Sequence, residues 1–195
     1  MIKQRHIISI VFILGIALLA TDESVNADLE IPRQADISAC GIFLNDPEST
    51  LKILGPPPAP IESSDDFPIL EICNSSNTEV LTLVFHPGDV SNSFSEFRVR
   101  KISKKSANCI KTPELINHFI TGKGIKLGMS RKELTEILGS DFTEDKKGNA
   151  TTLSYRIDDF DNSSFLKKYN LPIYNGVYRF ENDKLFEFEF GFEYP

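Results

Sequence analysis

Gly124-Ile125-Lys126-Leu127-Gly128-Met129-Ser130-Arg131-Lys132-Glu133-Leu134-Thr135-Glu136-Ile137-Leu138-Gly139 is the stretch whose reading decides the fold. Ser130 is a favourable N-cap, and Glu133 three residues on can close a capping box with it. Leu134, Ile137 and Leu138 then fall at i, i+3 and i+4, which predicts about two turns of helix with one apolar stripe. Gly139 stands where a left-handed C-cap is wanted. Upstream, Ile125 and Leu127 alternate like the end of a strand.

Working outward, a weaker copy lies earlier in the chain. Gly41-Ile42-Phe43-Leu44 is followed by Asn45-Asp46-Pro47-Glu48 and then by Ile53-Leu54-Gly55. The shared flanks are Gly-Ile-x-Leu and Ile-Leu-Gly, which predicts an internal duplication. Pro47 favours a first helical turn. Gly55-Pro56-Pro57-Pro58-Ala59-Pro60 stops that helix and reads as a stiff connector.

Between the copies, Pro68–Cys73, Glu79–His86 and Phe94–Ile102 read as strands, separated by turn-forming residues. Phe97 and Val99 alternate with Glu96, Arg98 and Arg100. After the second copy come a polar loop around Asp145–Asn149, a strand near Thr151–Ile157 and an insertion from Asp158 to Leu171. A final hairpin follows. A three-residue loop on Asn182-Asp183-Lys184 sets Phe180 opposite Phe186, Tyr178 opposite Phe188 and Arg179 opposite Glu187. A two-residue turn on Asn182-Asp183 would slip the strand and send its apolar set to the wrong face, so the longer loop is expected. Phe186, Phe188, Phe190, Phe192 and Tyr194 then form one side, with Glu187, Glu189 and Glu193 on the other.

The 195-residue chain carries a formal net charge of −7. An acidic chain without a basic block is a poor partner for nucleic acid or anionic membranes. Residues 1–27 read as a signal peptide: Lys3 and Arg5, an apolar run from Ile7 to Ala20, then Val25-Asn26-Ala27 as a cleavage site. A retained anchor is the competing reading. Ile37-Ser38-Ala39-Cys40 also has the form of a lipoprotein box, although charged residues separate it from the apolar run. The expectation is a periplasmic or secreted protein with no membrane span after cleavage near Ala27.

Cys40, Cys73 and Cys109 permit three disulfide pairings, or none. Cys40 and Cys109 each shortly precede a Gly-Ile-x-Leu segment, which favours a Cys40–Cys109 bond, with Cys73 buried. No Cys/His spacing suggests zinc, and no cofactor motif is present. His118 and the cluster Asp158-Asp159-Phe160-Asp161 are the candidates for hydrolytic or metal-dependent chemistry. Without the glycine of a calcium loop, a solvated turn is the simpler reading of that cluster. The alternating charges Arg98, Arg100, Arg179, Glu187 and Glu189 form either a binding surface or the plain polar side of a half-buried sheet.

The motif at 124–139 resembles the helix start of the BamE/SmpA-type outer-membrane assembly lipoproteins. It also resembles the β-lactamase inhibitory protein (BLIP) family, where it occurs twice in tandem αβ repeats. The second copy at 41–55 makes the BLIP-like arrangement the better match. The resemblance implies an α+β fold of two tandem repeats, 28–110 and 111–195, each a short helix packed on a twisted antiparallel β-sheet. It further implies a non-enzymatic module that binds another exported or envelope protein, as an assembly factor or an inhibitor. The alternative is a periplasmic hydrolase or metal enzyme using Asp158, Asp159, Asp161 or His118. Oligomeric state is left open by the sequence.

Overall fold

The computed structural model describes residues 30–57, 67–86, 93–102, 109–111 and 116–193. The signal segment, residues 58–60 of the proline run, Tyr194 and residues 112–115, where Thr112-Pro113-Glu114 reads as the start of a short helix, lie outside them. In chain order the elements are β1 (Ser38–Ala39), β2 (Ile42–Phe43), α1 (Pro47–Leu54), β3 (Ile69–Cys73), β4 (Glu79–Val84), β5 (Glu96–Lys101) and β6 (Ile110–Lys111). They continue with α2 (Arg131–Leu138), β7 (Thr143–Lys147), β8 (Ala150–Ile157), α3 (Ser164–Tyr169), β9 (Ile173–Glu181) and β10 (Lys184–Glu193).

The two motif copies become two eight-residue helices with matching ends. Before α2, Ser130 Oγ accepts from the Glu133 N–H while the Ser130 N–H donates to Glu133 Oε2 at 2.7 Å, completing the capping box. Before α1, Asp46 Oδ1 accepts from the amides of Glu48 and Ser49. Gly139 turns the chain out of α2 at φ 86°, a region that favours glycine. Arg33, from the N-terminal stretch, donates to the carbonyls of Glu136 and Ile137, placing a cation at the negative end of α2.

The fold is α+β: β1 and β2 form a separate two-stranded antiparallel ribbon, and β3 to β10 form one large sheet where a sheet for each half was expected. The order is β6-β3-β4-β5-β10-β9-β8-β7, antiparallel throughout except for the β3–β6 pair. β5 closes the first half and β10 the second, and these two strands pair with each other. Joining there satisfies both backbone edges, which would otherwise stand open. Ile125 and Leu127 belong to no strand, and the segment near Thr121 contributes a single antiparallel bridge to Ala39. The polar loop expected around Asp145 is instead an exposed charged edge strand, β7, with its turn at Gly148-Asn149. α3 forms within the insertion, with Ser163 as its cap.

One face of the sheet carries the core. Leu134 and Leu138 from α2 lie in one buried cluster with Phe180, Phe188 and Phe190. Phe97 meets Phe190 edge-on at 5.6 Å across the central β5–β10 pair. Phe165 of α3 contacts Tyr174 and Phe192, each at 5.5 Å, and seals one end of the sheet. Tyr174 Oη donates to the Asp36 carbonyl and accepts from the Asp36 amide, each at 2.8 Å, so the segment before β1 is pinned to the core.

Two local expectations are overturned. Cys109 is bonded to Cys73, not to Cys40, which keeps a free thiol. The reason is topological: parallel pairing of β6 with β3 sets Ile72 against Ile110 and brings Cys109, the residue before it, to a Cα–Cα distance of 5.6 Å from Cys73. The final hairpin turns on two residues, Asn182 and Asp183, both at positive φ. This sets Leu185 opposite Phe180. A bulge at Phe186 then restores Tyr178 opposite Phe188 and Arg179 opposite Glu187. The extra residue corrects the register that a tight turn alone would have slipped. Phe186 is only half-buried as a result.

Candidate interaction face

Alternation along the strands fixes the opposite face of the sheet. With Phe97 and Val99 in the core, Glu96, Arg98 and Arg100 project the other way. With Phe188, Phe190 and Phe192 in the core, the pleat sends Glu187, Glu189 and Glu193 out beside them. β9 adds Asn175, Val177 and Arg179 to this face. The five residues singled out from sequence, Arg98, Arg100, Arg179, Glu187 and Glu189, therefore share one surface.

They also pair there. Arg179 donates to Glu187 at 2.9 Å and to Glu189 at 2.8 Å. Arg98 lies 3.5 Å from Glu189 and bonds Glu96 on its own strand. Arg100 stands opposite Glu187 in register, and its guanidinium bonds Glu71 of β3 at 3.1 Å. Further along, Arg156 of β8 holds Asp158 at 2.9 Å and Glu193 at 3.4 Å. Such partly exposed pairs each contribute at most about 1 kcal/mol, so they organise the face more than they stabilise the fold.

Within this face lies a groove of about 370 Å³ lined by Glu96, Arg98, Ser154, Asn175, Val177 and Glu189, together with residues 190–193. Gly191 sits at its centre, paired with Glu96 on one side and Asn175 on the other. Its φ is 156°, and a Cβ there would meet the Ser95 carbonyl oxygen at 2.2 Å. The missing side chain is thus imposed by the close approach of β5, and it leaves the groove open. Burial raises the Glu96 carboxyl; Arg98 works against that rise, while Glu189 and Glu193 add to it. Gly191, Asn175, Val177, Ser154 and Glu71 escaped sequence reading. Alternation marks which face a residue takes, but not which strands meet.

The other candidates are dispersed. His118 Nδ1 contacts Glu79 Oε1 at 2.8 Å, while Glu79 Oε2 accepts from the Phe119 amide. Asp158 pairs with Arg156, and Asp159 accepts from the Asn162 side chain. The Asp161 carbonyl accepts from Lys167. Among the described residues, no three His, Cys, Asp or Glu side chains are placed to hold a metal ion. Burial pushes the Cys40 thiol up, a backbone contact at Ile120 pulls it down and the Glu79 charge adds to the rise. Cys40 itself sits in the β1–β2 turn, with its amide bonded to the Ile120 carbonyl, and the residues before it are packed into the fold. No helix among the described residues is long and apolar enough to cross a membrane.

Compared with protein-family models, with curated proteins and with solved structures, the chain shows no match.

Proposed function

We propose that this chain is an exported, non-enzymatic protein-binding module of the BLIP/BamE-like type, assembled from two tandem αβ units. In this reading it docks another exported or envelope protein on the open face of its sheet, as an assembly factor or an inhibitor. The observation that carries it is the division of the sheet into two unlike faces. One is sealed by aromatic side chains, and the other holds a charged, partly exposed surface with a groove at its middle.

Support for the duplication comes from equivalent contacts. α1 and α2 have the same length and glycine ends, and the chain just before each motif meets its counterpart at the Ala39–Thr121 bridge. The last strands of the two halves, β5 and β10, pair at the centre. The Cys73–Cys109 bond fits an oxidising compartment.

The test is site-specific photocrosslinking in the exported fraction. A photoreactive residue at Val177 or Asn175 is expected to trap a partner protein, while one at Lys132, on the exposed side of α2, is not. Crosslinks confined to Lys132 would overturn the reading. So would turnover of a substrate that disappears on His118→Ala or on combined Asp158→Ala and Asp159→Ala substitution.

A further inference from the structure

We infer that the groove at Gly191 receives a basic side chain, arginine or lysine, projecting from the docked protein; this rests on the open sheet face being the docking surface. Three carboxylates, Glu96, Glu189 and Glu193, line the groove against one guanidinium, Arg98. Arg98 is already engaged by Glu96 and lies near Glu189. The neighbouring cations do not redress the balance. Arg179 is divided between Glu187 and Glu189, and Arg156 between Asp158 and Glu193. Among the described residues, the carboxylates of Glu96, Glu187, Glu189, Glu193 and Asp158 thus share the guanidiniums of Arg98, Arg179 and Arg156 around one opening, with Arg100 drawn off to Glu71.

The shape selects among possible occupants. An apolar side chain would strip water from these carboxylates and return nothing. A carboxylate would meet like charge. The carboxylates do not converge as a metal-binding group. A long cationic side chain suits the groove in both its parts. Its methylene stem can lie along Val177 and the Phe190–Phe192 backbone, and its charged head can reach Glu96 and Glu193. Ser154 supplies a neutral polar partner at the wall, while the Asn175 side chain accepts from Arg156 and donates to Glu193, holding that carboxylate at the rim.

The experiment is an NMR titration of the full ¹⁵N-labelled protein with N-acetyl-arginine amide, N-acetyl-lysine amide and, as the uncharged isostere of arginine, N-acetyl-citrulline amide. Saturable shifts are expected at the Gly191, Asn175 and Val177 amides with the two cations. Binding should be roughly tenfold weaker with citrulline, because the charge-assisted bonds are lost. Glu193→Gln, at the exposed end of β10, is expected to weaken the arginine response roughly threefold, as for a partly exposed pair. Its unchanged spectrum elsewhere would report an intact fold. Equal response to citrulline, shifts only at distant amides, or an unaltered response in Glu193→Gln would each overturn the inference. Crosslinks at Val177 together with a silent arginine titration would sink the groove assignment and leave the docking reading standing. Absence of crosslinks from this face would remove the docking reading, whatever the titration gives.

Discussion

Gly191→Ala is the sharpest perturbation of the central strand pair. The added Cβ would lie 2.2 Å from the Ser95 carbonyl oxygen, 2.6 Å from Glu96 Cα and 3.0 Å from Glu96 Cβ. Two of these three atoms are backbone, so no rotamer change relieves the overlap. The same Ser95 carbonyl accepts from the Phe192 amide at 2.9 Å, and moving β5 aside to make room breaks that bond. The unfavourable φ of 156° costs about 1–3 kcal/mol. The broken hydrogen bond and the loosened aromatic packing bring the total to about 3–5 kcal/mol. The assay is urea unfolding followed by circular dichroism, reading the midpoint at constant slope. Gly148→Ala is the control: its φ is also positive, at 65°, but a Cβ there meets nothing within 4 Å. It should cost only about 1 kcal/mol. If Gly191→Ala loses less than Gly148→Ala, the close approach of β5 to β10 is not what dictates glycine at 191.

Leu138→Ala removes a buried side chain from α2 and is expected to cost about 2–5 kcal/mol by the same unfolding assay; a loss below about 1 kcal/mol would place α2 off the core. Tyr178 Oη is buried without a hydrogen-bond partner among the described residues, so Tyr178→Phe should leave the melting temperature level or raise it. Tyr174→Phe, which orphans the Asp36 amide, should cost about 1–3 kcal/mol. Opening the Cys73–Cys109 bond, which closes a loop of sequence separation 36, should cost about 3–4 kcal/mol, and alkylation of the unreduced, denatured protein should modify Cys40 alone. The Ser130 backbone amide, and then its hydroxyl, hold the Glu133 carboxyl below its ordinary 4.5. That contribution is present above the ordinary value and is lost as pH falls through the lowered one. Glu133→Ala should therefore flatten the fall in melting temperature between about pH 5 and pH 3.

Much of this fold is written locally. The capping box of Ser130 and Glu133, the C-terminal glycines and the alternation in β3, β4 and β5 each involve neighbours within a few residues, and each is legible from residue type alone. The ion-paired face was legible in the same way, because a period of two decides which side Arg98 or Glu189 takes. Long-range pairing was not. Nothing in the spacing of Cys40, Cys73 and Cys109 announces that β6 runs parallel to β3, and that pairing chooses the disulfide. The hairpin shows the limit of reasoning on register. Both the short turn and the correct partners for Tyr178 and Arg179 occur, reconciled by a bulge at Phe186 that no propensity marks. β7 was missed because Thr-Glu-Asp-Lys-Lys has no apolar side: an exposed edge strand is kept charged to discourage further pairing.

The strand order also says when this molecule can finish folding. Among the described residues β10 comes last in the chain, yet it stands between β5 and β9 in the middle of the sheet. As the polypeptide emerges from its N-terminal end, the first three-stranded meander must wait with one flank of β5 bare until residues 184–193 arrive. The central closure is therefore a late, long-range event, slow for the same reason that all pairings distant in sequence are slow. Clipping the protein just after Asp183 would not trim a border strand; it would cut the sheet in two.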